Sequence, residues 1–290
     1  MITSVEVKQG IISKYLSPAI HGYKVGAVHS VFKTSFNLSV GHFLMHFNST
    51  EKPLSAFGVN IPPDILKELL SFIKAGDMVR IKDNILTIYA GGSRLVSVKF
   101  QQFIYKDFIL KEHFDNIPIL WESPLITAIN LIDFEKNMGL PYGKTEIEWI
   151  GKLKDNKNRC NSDWIEEFVK YFIGRGKGLT PSGDDFIIGF IMMLYIFRKE
   201  EFLHWRLVLQ EQLKRIKTTD VSYYYYQAMF EGYTSQQFYE FSQNLFYDVD
   251  SYKVQNIINN ILSYGSSSGY DTLFGIYTAL FQIIFEEDNL

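Results

Sequence analysis

Lys177, Asp184 and Asp185 fall within Gly174-Arg175-Gly176-Lys177-Gly178-Leu179-Thr180-Pro181-Ser182-Gly183-Asp184-Asp185, which runs straight into the apolar segment Phe186 to Phe197. Glycines at 174, 176 and 178 allow positive φ and a close approach of backbone to a ligand, and Pro181 stops an earlier helix from running through. Ser182 fits an N-cap, with Asp185 three residues on completing a Ser-x-x-Asp capping box. The free N–H groups that follow, at the positive end of a buried helix, predict an anion site built from Gly176, Gly178, Thr180, Ser182 and Gly183. Lys177, or Arg175 beside it, would add charge that stabilises a developing oxyanion. The carboxylates of Asp184 and Asp185 would hold a substrate amide or a hard cation. A well-capped core helix behind a mobile loop accounts for the same residues without a ligand.

The pattern returns near the end of the chain. Ser182-Gly183-Asp184-Asp185-Phe186-Ile187-Ile188-Gly189 and Ser268-Gly269-Tyr270-Asp271-Thr272-Leu273-Phe274-Gly275 share Ser-Gly-x-Asp-x-x-x-Gly, each at the start of an apolar helix. Glycine one turn inside a helix costs about 1 kcal/mol against alanine and so marks a close crossing. Two such helices crossing at Gly189 and Gly275 would bring their N-termini together, adding Ser268, Gly269 and Asp271 to one ligand site. Capping and tight packing alone would explain the same four positions.

Other chemistries fit less well. The glycine spacing before Lys177 is wrong for a Walker A loop, and no Ser or Thr follows that lysine directly; the final spacing of a dinucleotide-binding fingerprint is also missing. An acyl-CoA- or nucleotide-dependent enzyme therefore lacks a phosphate motif. The histidines, at 21, 29, 42, 46, 113 and 204, form no zinc signature, so no metal ligands are assigned. No cofactor is expected, a divalent cation at Asp184, Asp185 and Asp271 being the one exception considered. Cys160 lies beside Arg159 in a stretch that reads as a solvated turn and is not expected to be a nucleophile.

Two kinds of element must position these residues. Up to about residue 115 the chain reads as short strands, among them Met78–Lys82 and Ile85–Tyr89 around Asp83-Asn84, the clearest hairpin, with a helix inserted over Ile65–Ile73. From about 116 to 290 it reads as helices: Pro124–Lys136, Ser162–Ile173, Asp184–Lys199, Phe202–Lys217, Asp220–Glu231, Ser235–Tyr247, Tyr252–Ser263 and Asp271–Glu286. The expected class is α+β, with a barrel- or sandwich-like β-rich domain (1–115) packed on a helical domain (116–290) that carries the motif.

A net charge of -3 and a pI near 6.1, with no basic run, argue against nucleic acid as a partner. No apolar run approaches the roughly 20 residues of a membrane-spanning helix, the start resembles no secretion signal, and one cysteine suits a reducing compartment. A cytoplasmic protein is expected. The 24 Phe, 18 Tyr and 4 Trp predict large packed interiors and an interface.

Gly178-Leu179-Thr180-Pro181-Ser182-Gly183-Asp184-Asp185 followed by Gly189 resembles the signature of the AllH-like family, long described as a domain of unknown function and associated with oxamate carbamoyltransferase. Thr219, Ser222, Gly232, the late Ser268-Gly269-x-Asp271 motif and the region Gly26 to Leu38 are similar as well, so the resemblance extends over most of the chain. It implies a carbamoyltransferase subunit acting in late purine or allantoin catabolism, assembled with FdrA-like and AllG-like subunits. Carbamoyl would pass reversibly between oxamate and phosphate, linking oxalurate to carbamoyl phosphate. In that setting Lys177, Asp184 and Asp185 are the expected catalytic groups, and the small anionic substrate would be carbamoyl phosphate, oxamate or phosphate. A non-catalytic scaffold subunit of the same assembly is the alternative. The chain departs from the family pattern at Arg175, Lys177 and Tyr270, where smaller or neutral residues are expected.

Overall fold

The computed structural model describes residues 3–112 and 123–281. These residues form two compact units, Met1–Ile109 with Tyr233–Gln236, and Leu110–Gly232 with Gln237–Leu290. The transition expected near residue 116, and the stretch 282–286 of the last predicted helix, lie outside the described residues.

The first unit is a single ten-stranded sheet, and the expected α+β class holds. In chain order its strands are β1 (Thr3–Val7), β2 (Ile11–Ser13), β3 (Lys24–Val31), β4 (Phe36–Val40), β5 (Phe43–Ser49), β6 (Gly58–Ile61), β7 (Met78–Lys82), β8 (Ile85–Ala90), β9 (Arg94–Lys99) and β10 (Ile104–Lys106). Across the sheet they run β1-β9-β8-β7-β3-β4-β5-β6-β2-β10. Helix α1 (Ser17–Ile20) follows β2, and α2 (Pro63–Leu70) follows β6. Asp83 and Asn84 take φ of 54° and 62°, so the β7–β8 hairpin turns on two left-handed residues, as its Asp-Asn pair predicts. Buried and half-buried residues alternate along β8, the period-two pattern of a strand with one face in a core. The late segment Tyr233–Gln236 joins this unit through the bridge Ile109↔Tyr233 and a pair of hydrogen bonds between Leu54 and Gln236.

The second unit is helical: α3 (Pro124–Asn130), α4 (Phe134–Asn137), α5 (Lys144–Gly151), α6 (Asn156–Arg159), α7 (Ser162–Phe172), α8 (Ser182–Phe197), α9 (Lys199–Gln212), α10 (Asp220–Phe230), α11 (Gln236–Asn244), α12 (Ser251–Leu262) and α13 (Ser268–Ala279). The helix expected over Pro124–Lys136 is two, because the Asp133 side chain accepts from the Lys136 N–H and starts a new turn. The segment read as a solvated turn around 155–158 enters the short α6, where buried Arg159 pairs with Glu201 and the Leu153 and Lys154 carbonyls.

Helix α8 is the axis of this unit. All of its residues except Ile188 are buried, the property of a helix that is apolar all round. Aromatic rings surround it: Phe186 lies 5.5 Å from Phe172 and 5.6 Å from Phe274, and Phe190 lies 4.9 Å from Trp205. Tyr223–Tyr226 point around α10, from exposed Tyr223 to fully buried Tyr226. No described helix is long and apolar enough to cross a membrane.

Candidate functional site

Helices α8 and α13 cross at their glycines. A Cβ on Gly189 would sit 2.0 Å from the Thr272 carbonyl oxygen, and one on Gly275 would sit 2.1 Å from that of Phe186. The contacts are reciprocal, since Thr272 stands in the second motif where Phe186 stands in the first. The turns leading in match as well. Arg175 N–H donates to Phe172 and Gly183 N–H to Arg175; correspondingly Tyr264 N–H donates to Ile261 and Gly269 N–H to Tyr264. Gly183 and Gly269 each press on the earlier helix's carbonyl, at 2.0 and 1.9 Å from a hypothetical Cβ. The unit therefore contains two helix–loop–helix repeats about a local two-fold, and the longer of the two loops carries Lys177.

The expected Ser182–Asp185 capping box does not form. Helix α8 starts at Ser182 itself, Pro181 is its cap, and the Asp184 and Asp185 N–H groups donate to the Pro181 carbonyl. The serines are exchanged between helices instead. Ser182 stands beside Asp271 of α13, and Ser268 beside Asp185 of α8.

The three aspartates differ in their surroundings. Asp184 is fully buried and well supplied with donors: Gly174 N–H at 3.1 Å, the Tyr226 hydroxyl at 3.0 Å and the Thr218 hydroxyl. It ties the glycine loop to the start of α10. Asp271 Oδ1 accepts the Gly139 and Leu140 N–H groups, each at 2.9 Å, while its buried Oδ2 has no hydrogen-bond partner among the described residues. Asp185 is 5% exposed, and its Oδ2 is likewise buried with no hydrogen-bond partner among the described residues. Burial raises the proton affinity of all three carboxyls. Asp185 is raised well above the carboxylate range, by burial first and then by the charges of Asp271 and Asp184, with the Ser268 and Thr180 hydroxyls easing the shift. Behind this group the Tyr225 and Tyr264 hydroxyls bond to each other, and burial pushes Tyr264 up.

The glycine loop divides into a closed and an open part. Gly183 N–H is taken by the Arg175 carbonyl at 2.8 Å, and Gly176, at φ 121°, leaves only 2.6 Å between a hypothetical Cβ and the Ser182 nitrogen. Arg175 is committed too: its guanidinium pairs with Glu146 at 2.6 Å and stacks 4.3 Å over the Tyr171 ring. Gly178, at φ 96°, faces open space. Lys177 is exposed beside it and makes no hydrogen bond or ion pair among the described residues. The Thr180 hydroxyl lies 2.7 Å from that of Ser268, joining the loop to the second repeat.

Gly139 was not legible as a site residue. It fits between the Ser182 and Ser267 hydroxyls, each 2.5 Å from a hypothetical Cβ, and with Leu140 it holds Asp271. Its sequence signal, a glycine two residues before Pro141, marks a turn but not a partner 132 residues away. Among the described residues no group of three or more His, Cys, Asp or Glu side chains is placed to hold a metal ion.

The stretch that contains both loops and the helices α8 and α13 also has a family match. Residues 172–280 match the family of the oxamate carbamoyltransferase subunit AllH. The resemblance expected from the motif is thus found over that span, which begins at the last residue of α7 and ends one residue past α13. Over that span the chain is similar to a carbamoyltransferase subunit. No solved structure matches the chain significantly.

Proposed function

We propose that this chain is a subunit of a carbamoyl-transferring assembly and that the α8–α13 crossing holds the carbamoyl group. The observation that carries this reading is Asp185: a buried carboxyl with an unpartnered oxygen, next to the Thr180 and Ser268 hydroxyls, inside the AllH-matching span. A carbamoyl NH2 offers donors that such an oxygen lacks. The exposed tip Lys177–Leu179, between Gly176 and Thr180, would take the anionic end of the substrate, phosphate or a carboxylate.

The reaction would be the interconversion of oxalurate and phosphate with oxamate and carbamoyl phosphate. A phosphate oxygen attacks the carbamoyl carbon, the C–N bond breaks, and the departing oxamate nitrogen needs a proton. A carboxyl with raised proton affinity supplies it and recovers one from the attacking hydrogen phosphate. Asp185 fits that role. Asp184 and Asp271, each bonded to backbone N–H groups, would position the loop and the crossing. The partners would be FdrA-like and AllG-like subunits, and the setting purine or allantoin catabolism.

Thermal unfolding with carbamoyl phosphate, phosphate or oxamate tests the reading. Ligand at about 100 times its Kd should stabilise the chain by roughly 2.7 kcal/mol. The shift should vanish in Asp185→Asn and weaken in Lys177→Ala, whose own stability should stay within about 0.5 kcal/mol of the parent. A scaffold role has one specific support, that Arg175, Gly183 N–H and Asp184 are all engaged within the protein. Full carbamoyl transfer by an assembly containing Asp185→Asn would favour it.

A further inference from the structure

We propose that the first unit carries a binding site for a small organic anion, one with a phosphate or carboxylate head and a short apolar body, in the cavity between the end of β5 and α2. The cavity measures about 510 Å³, within the range of small-molecule sites. Its floor is apolar, from Leu66 and Leu70 of α2. Three lysines from separate segments line it: Lys33 in the β3–β4 turn, Lys52 after β5 and Lys67 on α2. Glu51 is the one carboxylate among the lining residues, so the cavity is cationic. None of the three ammonium groups makes an ion pair or a side-chain hydrogen bond among the described residues. Three lysines from separate segments around an apolar floor form a surface complementary to an amphipathic anion.

One wall is also fixed from behind. Asn37 Nδ2 donates to Ser30 Oγ at 3.1 Å, Asn37 Oδ1 faces His46 Nδ1 at 2.8 Å, and Asn48 Nδ2 reaches His46 Nε2 at 3.4 Å. Asn48 Oδ1 accepts the Ser49 N–H at 2.8 Å. With the asparagine oxygen and one amide hydrogen engaged, its second amide hydrogen is left for a ligand in the cavity it lines. This site lies outside residues 172–280 and is independent of the carbamoyl-transfer reading.

Isothermal titration of the whole 290-residue chain with phenyl phosphate, benzoate, inorganic phosphate and phenol tests the proposal. Phenyl phosphate or benzoate should bind, the preferred head group telling phosphate from carboxylate ligands, and phenol should not. Binding should weaken roughly tenfold or more in Lys33→Gln/Lys52→Gln/Lys67→Gln and persist in Asp185→Asn. All three lysines are exposed, so the triple variant should retain the parent's melting curve. Unchanged affinity in the lysine variant, loss of binding in Asp185→Asn instead, equal binding of phenol, or no binding of any probe would each overturn the assignment.

Discussion

Each unit contains a cluster of polar side chains, half-buried around Asn37 in the first and buried in the second, and the two are built in opposite ways. In the first, Ser30, Asn37, His46 and Asn48 form a chain of neutral groups linked by hydrogen bonds, and burial pushes His46 down to about 4. In the second, Asp184, Asp185 and Asp271 share a crossing of two apolar helices, and burial pushes all three up. The neutral chain orients a wall. The acidic cluster leaves two carboxylate oxygens unpartnered, a state that favours the protonated form or a ligand that brings donors. Asp184 shows that the difference is local: in the same cluster, it is bonded by backbone and hydroxyls and serves the loop.

The crossing that creates the acidic cluster should give the largest effect. Gly189→Ala drives a Cβ into the Thr272 carbonyl, and a loss of about 3–4 kcal/mol is expected in urea unfolding. A loss below 1 kcal/mol would mean that the helices part easily, and the contrast with the hydrogen-bonded sheet cluster would weaken.

The pH dependence of stability separates the two clusters by sign. His46 has a folded value of about 4 against roughly 6.5 unfolded, so its contribution is present above the unfolded value and is lost as pH falls toward 4. That window is worth roughly 3 kcal/mol. The raised carboxyls run the other way: their contribution is complete below about pH 4 and is lost as pH rises through their folded values. Unfolding measured across pH should therefore show His46→Gln flattening the acid limb alone. A matching change on the alkaline side would break the distinction.

Within the acidic cluster, Asp184→Ala should cost about 2 kcal/mol by orphaning the Tyr226 hydroxyl and the Gly174 N–H. Limited proteolysis should then cut sooner within Gly174–Pro181. Asp185→Asn should do the reverse at pH 8, stabilising the chain by about 1 kcal/mol, because a buried carboxyl that is hard to ionise becomes a neutral amide. Destabilisation in both variants would make Asp185 a structural residue like Asp184.

Most of the secondary structure was legible because its signals are local. Asp83-Asn84 specifies its hairpin, and the apolar run Phe186–Phe197 specifies a buried helix. The break at Asp133 was missed because Pro124–Lys136 keeps helical spacing across it and only the side-chain cap ends the run. The repeated motif was visible as two strings of residues. Its exchanged serine–aspartate partners were not, since a capping box is read within one helix and the partner helix lies 86 positions away.

By itself, the sequence determined the α+β division, the helix starts at Ser182 and Ser268 to within a few residues, and the glycines that allow a close crossing. These follow from periodicity and from backbone freedom at single residues. Only the tertiary structure decided which aspartate is bonded and which is left open, that Arg175 is committed to Glu146 while Lys177 stands exposed, and that Gly139 closes the site. Burial and hydrogen-bond supply at a carboxyl depend on segments far apart in the chain, and no local pattern encodes which of them will meet.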